Sequence, residues 1–261
     1  MSAPRVHPTA IVDPSAVLAD DVEIGAYAVV GANVRVGRAT SVGSHVVLDG
    51  YTTIGDGNHI FPFAAIGTPP QDKKFHGEKT ELIIGDGNTI REFATLQPGT
   101  HSGGGVTRVG SDCFLMNYTH IAHDCHVGDH VIIANGSQLG GHVTIQDYVV
   151  VGALVGVHQF VKIGESAILG AGAMVSLDVA PFCNATGDRA TLHGLNVVGL
   201  KRRGFDAETL SSIRQLYRIF FQSKLKLAQA IEAARRDVPP SPPVESFLAF
   251  VQSAERGLCR E

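Results

Sequence analysis

Residues 115–163 read LMNYTHIAHDCHVGDHVIIANGSQLGGHVTIQDYVVVGALVGVHQFVKI. Every sixth residue is aliphatic: Leu115, Ile121, Val127, Ile133, Leu139, Ile145, Val151, Val157 and Ile163. The same register reaches back to Val109 and on to Leu169 and Val175. It also runs through Ile24, Val30, Val36, Val42, Leu48, Ile54, Ile60 and Ile66, and through Ile84, Ile90 and Leu96. All 23 positions are Val, Ile or Leu, which chance composition does not give. Gly often follows, as at Gly25, Gly37, Gly128 and Gly164. Six is not a multiple of the helical period, so an amphipathic helix is excluded. An aliphatic every sixth residue, followed by Gly, is the signature of a hexapeptide-repeat parallel β-helix. Each hexapeptide makes a short strand and a turn, and three close one triangular coil. Residues 18 apart, such as Ile121, Leu139 and Val157, then stack on one face, with coils ~4.8 Å apart.

The fold expected is mainly β: a β-helix over residues 1–184, then an α-helical domain over 185–261. A chain of 261 residues has room for one or two such domains. Hydrophobic residues make up 44%, enough for a core, but aromatics only 7% with no Trp, so that core is built from small aliphatics. No apolar run is long enough for a transmembrane helix, and the N-terminus lacks the apolar core of a signal peptide. The net charge of −4 argues against a nucleic-acid binder. Cys113, Cys125, Cys183 and Cys259 form no CxxC pair, and a reducing cytoplasm is the simplest home.

Two insertions interrupt the count, residues 67–83 containing PPQDKKFHGEKT and residues 97–108 containing PGTHSGGG. Ile84, Ile90 and Leu96 make one complete coil between them, so both loops leave the prism at the same corner. Loops this long on a tight repeat are usually functional, although a tolerated surface insertion is the plain alternative. After Pro181 the repeat ends. Asp206 caps an expected helix with Leu210, Ile213, Leu216, Tyr217 and Phe220 on its apolar face. A second helix is expected near Lys226–Arg236, broken by Pro239-Pro-Ser-Pro-Pro243. A third carries Phe247, Phe250, Val251, Ala254 and Leu258. These helices could simply cap the open end of the solenoid.

The histidines follow the repeat. His123, His142 and His158 lie in the hexapeptides beginning at Ile121, Leu139 and Val157, and therefore share one face on successive coils. Leu96 begins the same face, so both loops leave from its edge. The run His120-Ile-Ala-His123-Asp-Cys-His126 invites a zinc reading. Residues three apart on a strand point to opposite faces, however, so a metal would need ligands from a neighbouring chain. Histidines hydrogen-bonded at corners are a structural alternative. A general base with substrate ligands fits a cluster of side chains that titrate near neutrality. There is no GxSxG elbow, Walker A or Rossmann fingerprint. Cys125 reads as a small core residue rather than a nucleophile.

HPTAIVDPSA from His7, the PQDKKF loop from Pro70, HIAHDC from His120, GGHV from Gly140, GVHQF from Gly156 and GLNVVGLKRRGF from Gly194 occur in the order of one family. Along essentially the whole chain the sequence resembles the UDP-N-acetylglucosamine O-acyltransferases of lipid A biosynthesis. The resemblance implies a left-handed coil, an exception to the usual crossover rule, and a homotrimer with sites between subunits. It implies transfer of an (R)-3-hydroxyacyl chain from acyl carrier protein to the 3-hydroxyl of UDP-N-acetylglucosamine, with no cofactor or metal. His123 matches the general base, Asp124 the carboxylate that orients it, and the Gly141 N–H the oxyanion donor. In an ideal strand Asp124 would point away from His123, so the pairing requires corner geometry. Gln71, Asp72, Lys74, His120, His142, His158 and Gln159 resemble sugar, nucleotide and acyl contacts. Asn196 and Arg202 resemble nucleotide or pantetheine contacts. Arg203 with Arg202 offers a cationic fork for phosphate, and Lys201 and Arg203 would steer an acidic carrier protein. Ala171 matches the end of the acyl slot, with Leu169 and Met174 as further length determinants.

The chain departs from the family pattern at Val198, where an acidic residue is usual, and at Gln97, where His is usual. An acceptor bearing a 3-amino group would suit the same base. The related N-acyltransferases carry an extra N-terminal domain, and this repeat begins by about residue 11. A non-catalytic or metal-binding β-helix is the reading from a different class.

Overall fold

The computed structural model describes residues 2–260. Strands mostly of two residues recur through the repeat and form three sheets of 11, 9 and 8 strands. The chain visits the sheets in turn, so each strand pairs with those three before and three after it. Phe114–Leu115 pairs with Ile132–Ile133 in sheet 1, His120–Ile121 with Gln138–Leu139 in sheet 2, and His126–Val127 with Thr144–Ile145 in sheet 3, all parallel. The result is a triangular prism, as the six-residue count predicts.

In each strand the counted aliphatic points inward. Ile121 and Leu139 are fully buried, and Val157 nearly so. The residue before it points outward. A second inward row, which the aliphatic count does not reveal, sits four residues after each counted position: Cys113, Cys125, Val131, Ser137, Val143. Small or self-satisfied residues fill it because it lies beside the bend. Asn58 and Asn88 qualify by donating to Gly85 O and Gly110 O. The bend itself falls three residues after the counted aliphatic, at left-handed φ: Tyr118 (60°), Asp124 (60°), His142 (62°) and Phe160 (67°) are examples.

Both insertions leave sheet 2, after Ile66 and Leu96, and re-enter sheet 3. Their far ends differ from expectation. Glu81–Ile84 and Val106–Val109 are four-residue strands paired with each other, so residues 81–83 and 106–108 belong to sheet 3 rather than to the loops.

The junction with the C-terminal part also differs. Residue 184 lies inside the strand Cys183–Thr186, which pairs parallel with Ile168–Leu169 and antiparallel with Thr191–Leu195. Four helices follow: α1 (Val197–Arg202), α2 (Ala207–Tyr217), α3 (Leu227–Asp237) and α4 (Pro242–Ser253). α1, unexpected from the sequence, is capped by Asn196. α2 starts at Asp206, whose Oδ1 accepts the Thr209 N–H, and continues into a π-helical turn over Arg218–Gln222. The expected apolar face of α2 is buried throughout. Pro242 and Pro243 open α4, where proline fits the first turn. Leu258 does not extend α4, which ends at Ser253; its backbone bridges Asp178 instead. No helix among the described residues is long and apolar enough to cross a membrane.

Candidate active site

Sheet 2 turns His120, Gln138, Gly156 and Met174 outward on successive coils. A groove of about 550 Å³ runs over this face, with His123, Gly141 and His158 along its edge and Arg189 also in its wall. Gly156 leaves the floor open beside Met174, whose sulfur would meet a Cβ at 2.8 Å. A larger depression of about 950 Å³ on sheet 1 holds Arg5 paired with Glu23 and Ser41 bonded to His59, far from the histidine face.

His123 and Asp124 occupy the corner between sheets 2 and 3. The left-handed φ of Asp124 folds its carboxylate back, so adjacent residues meet where a strand would separate them. His123 Nδ1 lies 2.7 Å from Asp124 Oδ2. The Asp124 side chain is fully buried, and its contact with Nδ1 leaves His123 Nε2 free of that pairing. Gly141 stands against the Cε1–Nε2 edge of that ring; a Cβ on it would lie 2.6 Å from Cε1. Gly140 N–H donates to Val157 O and His142 N–H to His123 O, whereas the Gly141 N–H between them donates to no acceptor among the described residues. An imidazole nitrogen and an unengaged backbone donor thus sit side by side.

The next corner position holds His142, whose ring meets His123 edge-on at 5.3 Å and stacks on Phe160 at 4.3 Å. Burial pushes His142 below the ordinary histidine value, with Asp124 and Asp72 pulling the other way. Burial, aided by His123, also holds His120 down, and its Nδ1 is 2.7 Å from Thr95 Oγ1. Both are therefore neutral near pH 7 and can hydrogen-bond a neutral substrate. His158 is exposed and its Nδ1 donates to Gln159 O. His123, Asp124 and His142 have donor atoms close enough to hold an ion, but hydrogen bonds already engage His123 Nδ1 and both Asp124 oxygens. Cys125 is no nucleophile: burial pushes its thiol up to about 12, and it donates to Gly140 O.

The two loops close over this corner. Gln71 and Asp72 begin a turn in which Asp72 accepts the Lys74 N–H. Asp72 and Lys74 line a smaller cavity of about 340 Å³ that also touches the second loop at Thr100 and His101.

Other expected residues do not join this cluster. Asn196, Arg202 and Arg203 lie toward the corner between sheets 3 and 1. Asn196 is buried, donating to Ser166 O and accepting from Gly199 N–H. Arg203 pairs with Glu165 at 2.8 Å and lies 3.6 Å over the Tyr148 ring, so it is not a free phosphate fork in this chain. Arg202 is exposed. Among the length determinants, Leu169 is overturned: it is fully buried on the inward row of sheet 1 and cannot line an outside slot. Ala171 is exposed at the corner between sheets 1 and 2, and Met174 lies in the groove.

Residues 178–259 match the family described as Udp N-acetylglucosamine O-acyltransferase, domain 2, and residues 3–38 and 107–141 match bacterial transferase hexapeptide repeats. The chain is 52% identical over 260 residues to the acyl-[acyl-carrier-protein]–UDP-N-acetylglucosamine O-acyltransferase of Xanthomonas euvesicatoria, covering 99% of both. It is 48% identical to that of Stenotrophomonas maltophilia, again over 99% of both. The chain belongs to the UDP-N-acetylglucosamine O-acyltransferase family. It superposes on the LpxA structure of Acinetobacter baumannii with a TM-score of 0.96 at 42% identity, over 98% of this chain and 99% of that one. It also superposes on the Arabidopsis UDP-N-acetylglucosamine acyltransferase with a TM-score of 0.82 at 31% identity, over 97% and 99%. The chain is thus an acyltransferase with the family's left-handed β-helix. Gln97 is buried and accepts the Gln71 N–H, tying the first loop to sheet 2. Val198 lies on α1 at 63% exposure, away from the groove. Sequence reasoning missed Gln138, Arg189 and Thr100. Gln138 was legible as the outward partner of Leu139; Arg189 and Thr100 lie outside the repeat and carry no periodic signal.

Proposed function

We propose that this acyltransferase moves a 3-hydroxyacyl chain from acyl carrier protein to the 3-hydroxyl of UDP-N-acetylglucosamine, with His123 as general base. The observation that carries this is the 2.7 Å His123–Asp124 pair, which leaves Nε2 beside the unengaged Gly141 N–H at the edge of the groove. His123 Nε2 takes the hydroxyl proton as the sugar oxygen attacks the thioester carbonyl carbon. The Gly141 N–H receives the oxyanion. Collapse expels the pantetheine thiolate, which takes the proton from His123. Asp124 keeps the imidazole in the correct tautomer and balances its transient charge.

Asn196 and Arg202, expected to contact the nucleotide or pantetheine, lie toward a different corner of the prism from His123 and the Gln71–Lys74 loop. One chain does not complete the site; a neighbour in a symmetric trimer would bring its sheet 3–sheet 1 corner to the groove. Outward Ile11, Val29, Val47 and Ala65 make the N-terminal half of sheet 2 apolar, as a packed interface requires. The groove, Ala171 and Met174 would take the acyl chain. The location expected is the cytoplasm, where acyl carrier protein resides.

Incubation with UDP-N-acetylglucosamine and a ladder of 3-hydroxyacyl carrier proteins, read by mass spectrometry, tests this. One acylated sugar nucleotide is expected. Product only with a 3-amino acceptor would replace the ester with an amide, and no product with either would leave a non-catalytic β-helix.

A further inference from the structure

The second inserted loop makes its most direct contact with the catalytic corner through Thr100, and that contact reaches Asp124. Thr100 N–H donates to Asp124 Oδ1 at 2.8 Å, and Thr100 Oγ1 donates to Oδ2 at 2.6 Å. Oδ2 is the oxygen that also receives His123 Nδ1–H. Thr100 is itself buried, and the Asp124 N–H is fixed by Thr107 Oγ1 at 2.7 Å. The loop is built around this contact. Gly103 N–H and Gly105 N–H both return to Thr100 O, and Gly104 turns the chain at φ 94°. Gly103 has no room for a side chain, because a Cβ there would overlap the Asp124 carboxylate.

We propose that Thr100 is a positioning residue for the reaction: it clamps the Asp124 carboxylate in the plane and rotamer that hold the His123 imidazole. This rests on the His123–Asp124 reading above. His142 Nε2 also lies 3.7 Å from Oδ2, beyond hydrogen-bond reach, so with only the His123 bond the carboxylate could rotate about its Cβ–Cγ bond. Two donors from one residue, one to each oxygen, remove that freedom. Thr100 makes no hydrogen bond to His123 among the described residues, and its hydroxyl otherwise meets only Ser102 Oγ at 3.3 Å, so its effect on His123 should pass through Asp124.

The test is a double-mutant cycle on the full-length enzyme. Thr100→Val removes the hydroxyl at nearly constant shape. It should lower kcat about tenfold, the scale of one hydrogen bond to a charged group, with little change in KM for the sugar nucleotide or in Tm. Thr100→Ser should retain near wild-type kcat. In an Asp124→Ala background, Thr100→Val should have no further effect. An undiminished effect in that background would show that Thr100 acts elsewhere, and unchanged kcat in the single variant would overturn the clamp. If Asp124→Ala alone left kcat intact, the dyad reading itself would fall and the clamp with it.

Discussion

In the proposed mechanism His123 carries the chemistry because its neighbours fix its tautomer and face. His123→Ala should lower turnover at least about 100-fold, the usual scale for a general base, with the fold intact by circular dichroism; unchanged turnover would remove it from the mechanism. Gly141 is required for two reasons, its free N–H and its contact with the imidazole edge. Gly141→Ala should cost about 100-fold in kcat by displacing that ring, and a fully active variant would show that the ring has slack. His120 and His142 titrate below the ordinary histidine value when folded. Below pH about 6.5 the unfolded chain therefore binds more protons than the folded one, and stability falls as pH drops. Thermal melts from pH about 7.5 to about 5 should show a shallower fall for the His120→Asn/His142→Asn variant; parallel curves would contradict the assignment.

At the level of elements, the repeat is legible because the inward row tolerates only aliphatics, and one period fixes strand, face and coil together. The same count places Leu169 on the inward row, so assigning it to an outside slot was inconsistent with the register. The histidine-bearing face is legible because the hexapeptides that carry His123, His142 and His158 begin 18 residues apart, at Ile121, Leu139 and Val157. The Asp124 rotation is not, because it depends on a left-handed φ that the repeat imposes. The sequence offers Asn196 as a nucleotide or pantetheine contact and Arg203 as part of a phosphate fork; that they cap α1 and anchor it to Ser166 and Glu165 is a tertiary fact. The C-terminal segment is fastened by Asp178, a fully buried carboxylate accepting Lys162, Glu255 and Arg256 N–H groups. Asp178→Ala leaves those donors without it and should cost roughly 3 kcal/mol in chemical denaturation; a loss within error would mean that water replaces the carboxylate. Along the corner between sheets 1 and 2, Tyr27, His45, Phe63, Phe93 and Tyr118 stack at 4.9–5.2 Å. Phe63 touches two rings, so Phe63→Ala should cost roughly 1–2 kcal/mol despite its exposure.

The proposed base, His123, lies on one corner of the prism, and Asn196 and Arg202 lie toward another. On the proposed function, a site that needs both forms between chains. His123→Ala and Arg202→Ala each inactivate a homogeneous assembly on this account, but at opposite sides of the same interface. Co-assembled in equal amounts, subunits of the two variants would create some interfaces with an intact His123 facing an intact Arg202. The decisive measurement is the turnover of such co-expressed, co-purified mixtures. Recovery to roughly a quarter of the wild-type rate per site, as random pairing in a cyclic assembly gives, is the predicted result. Activity no higher than that of the separate variants would place the complete site within one chain and contradict the account.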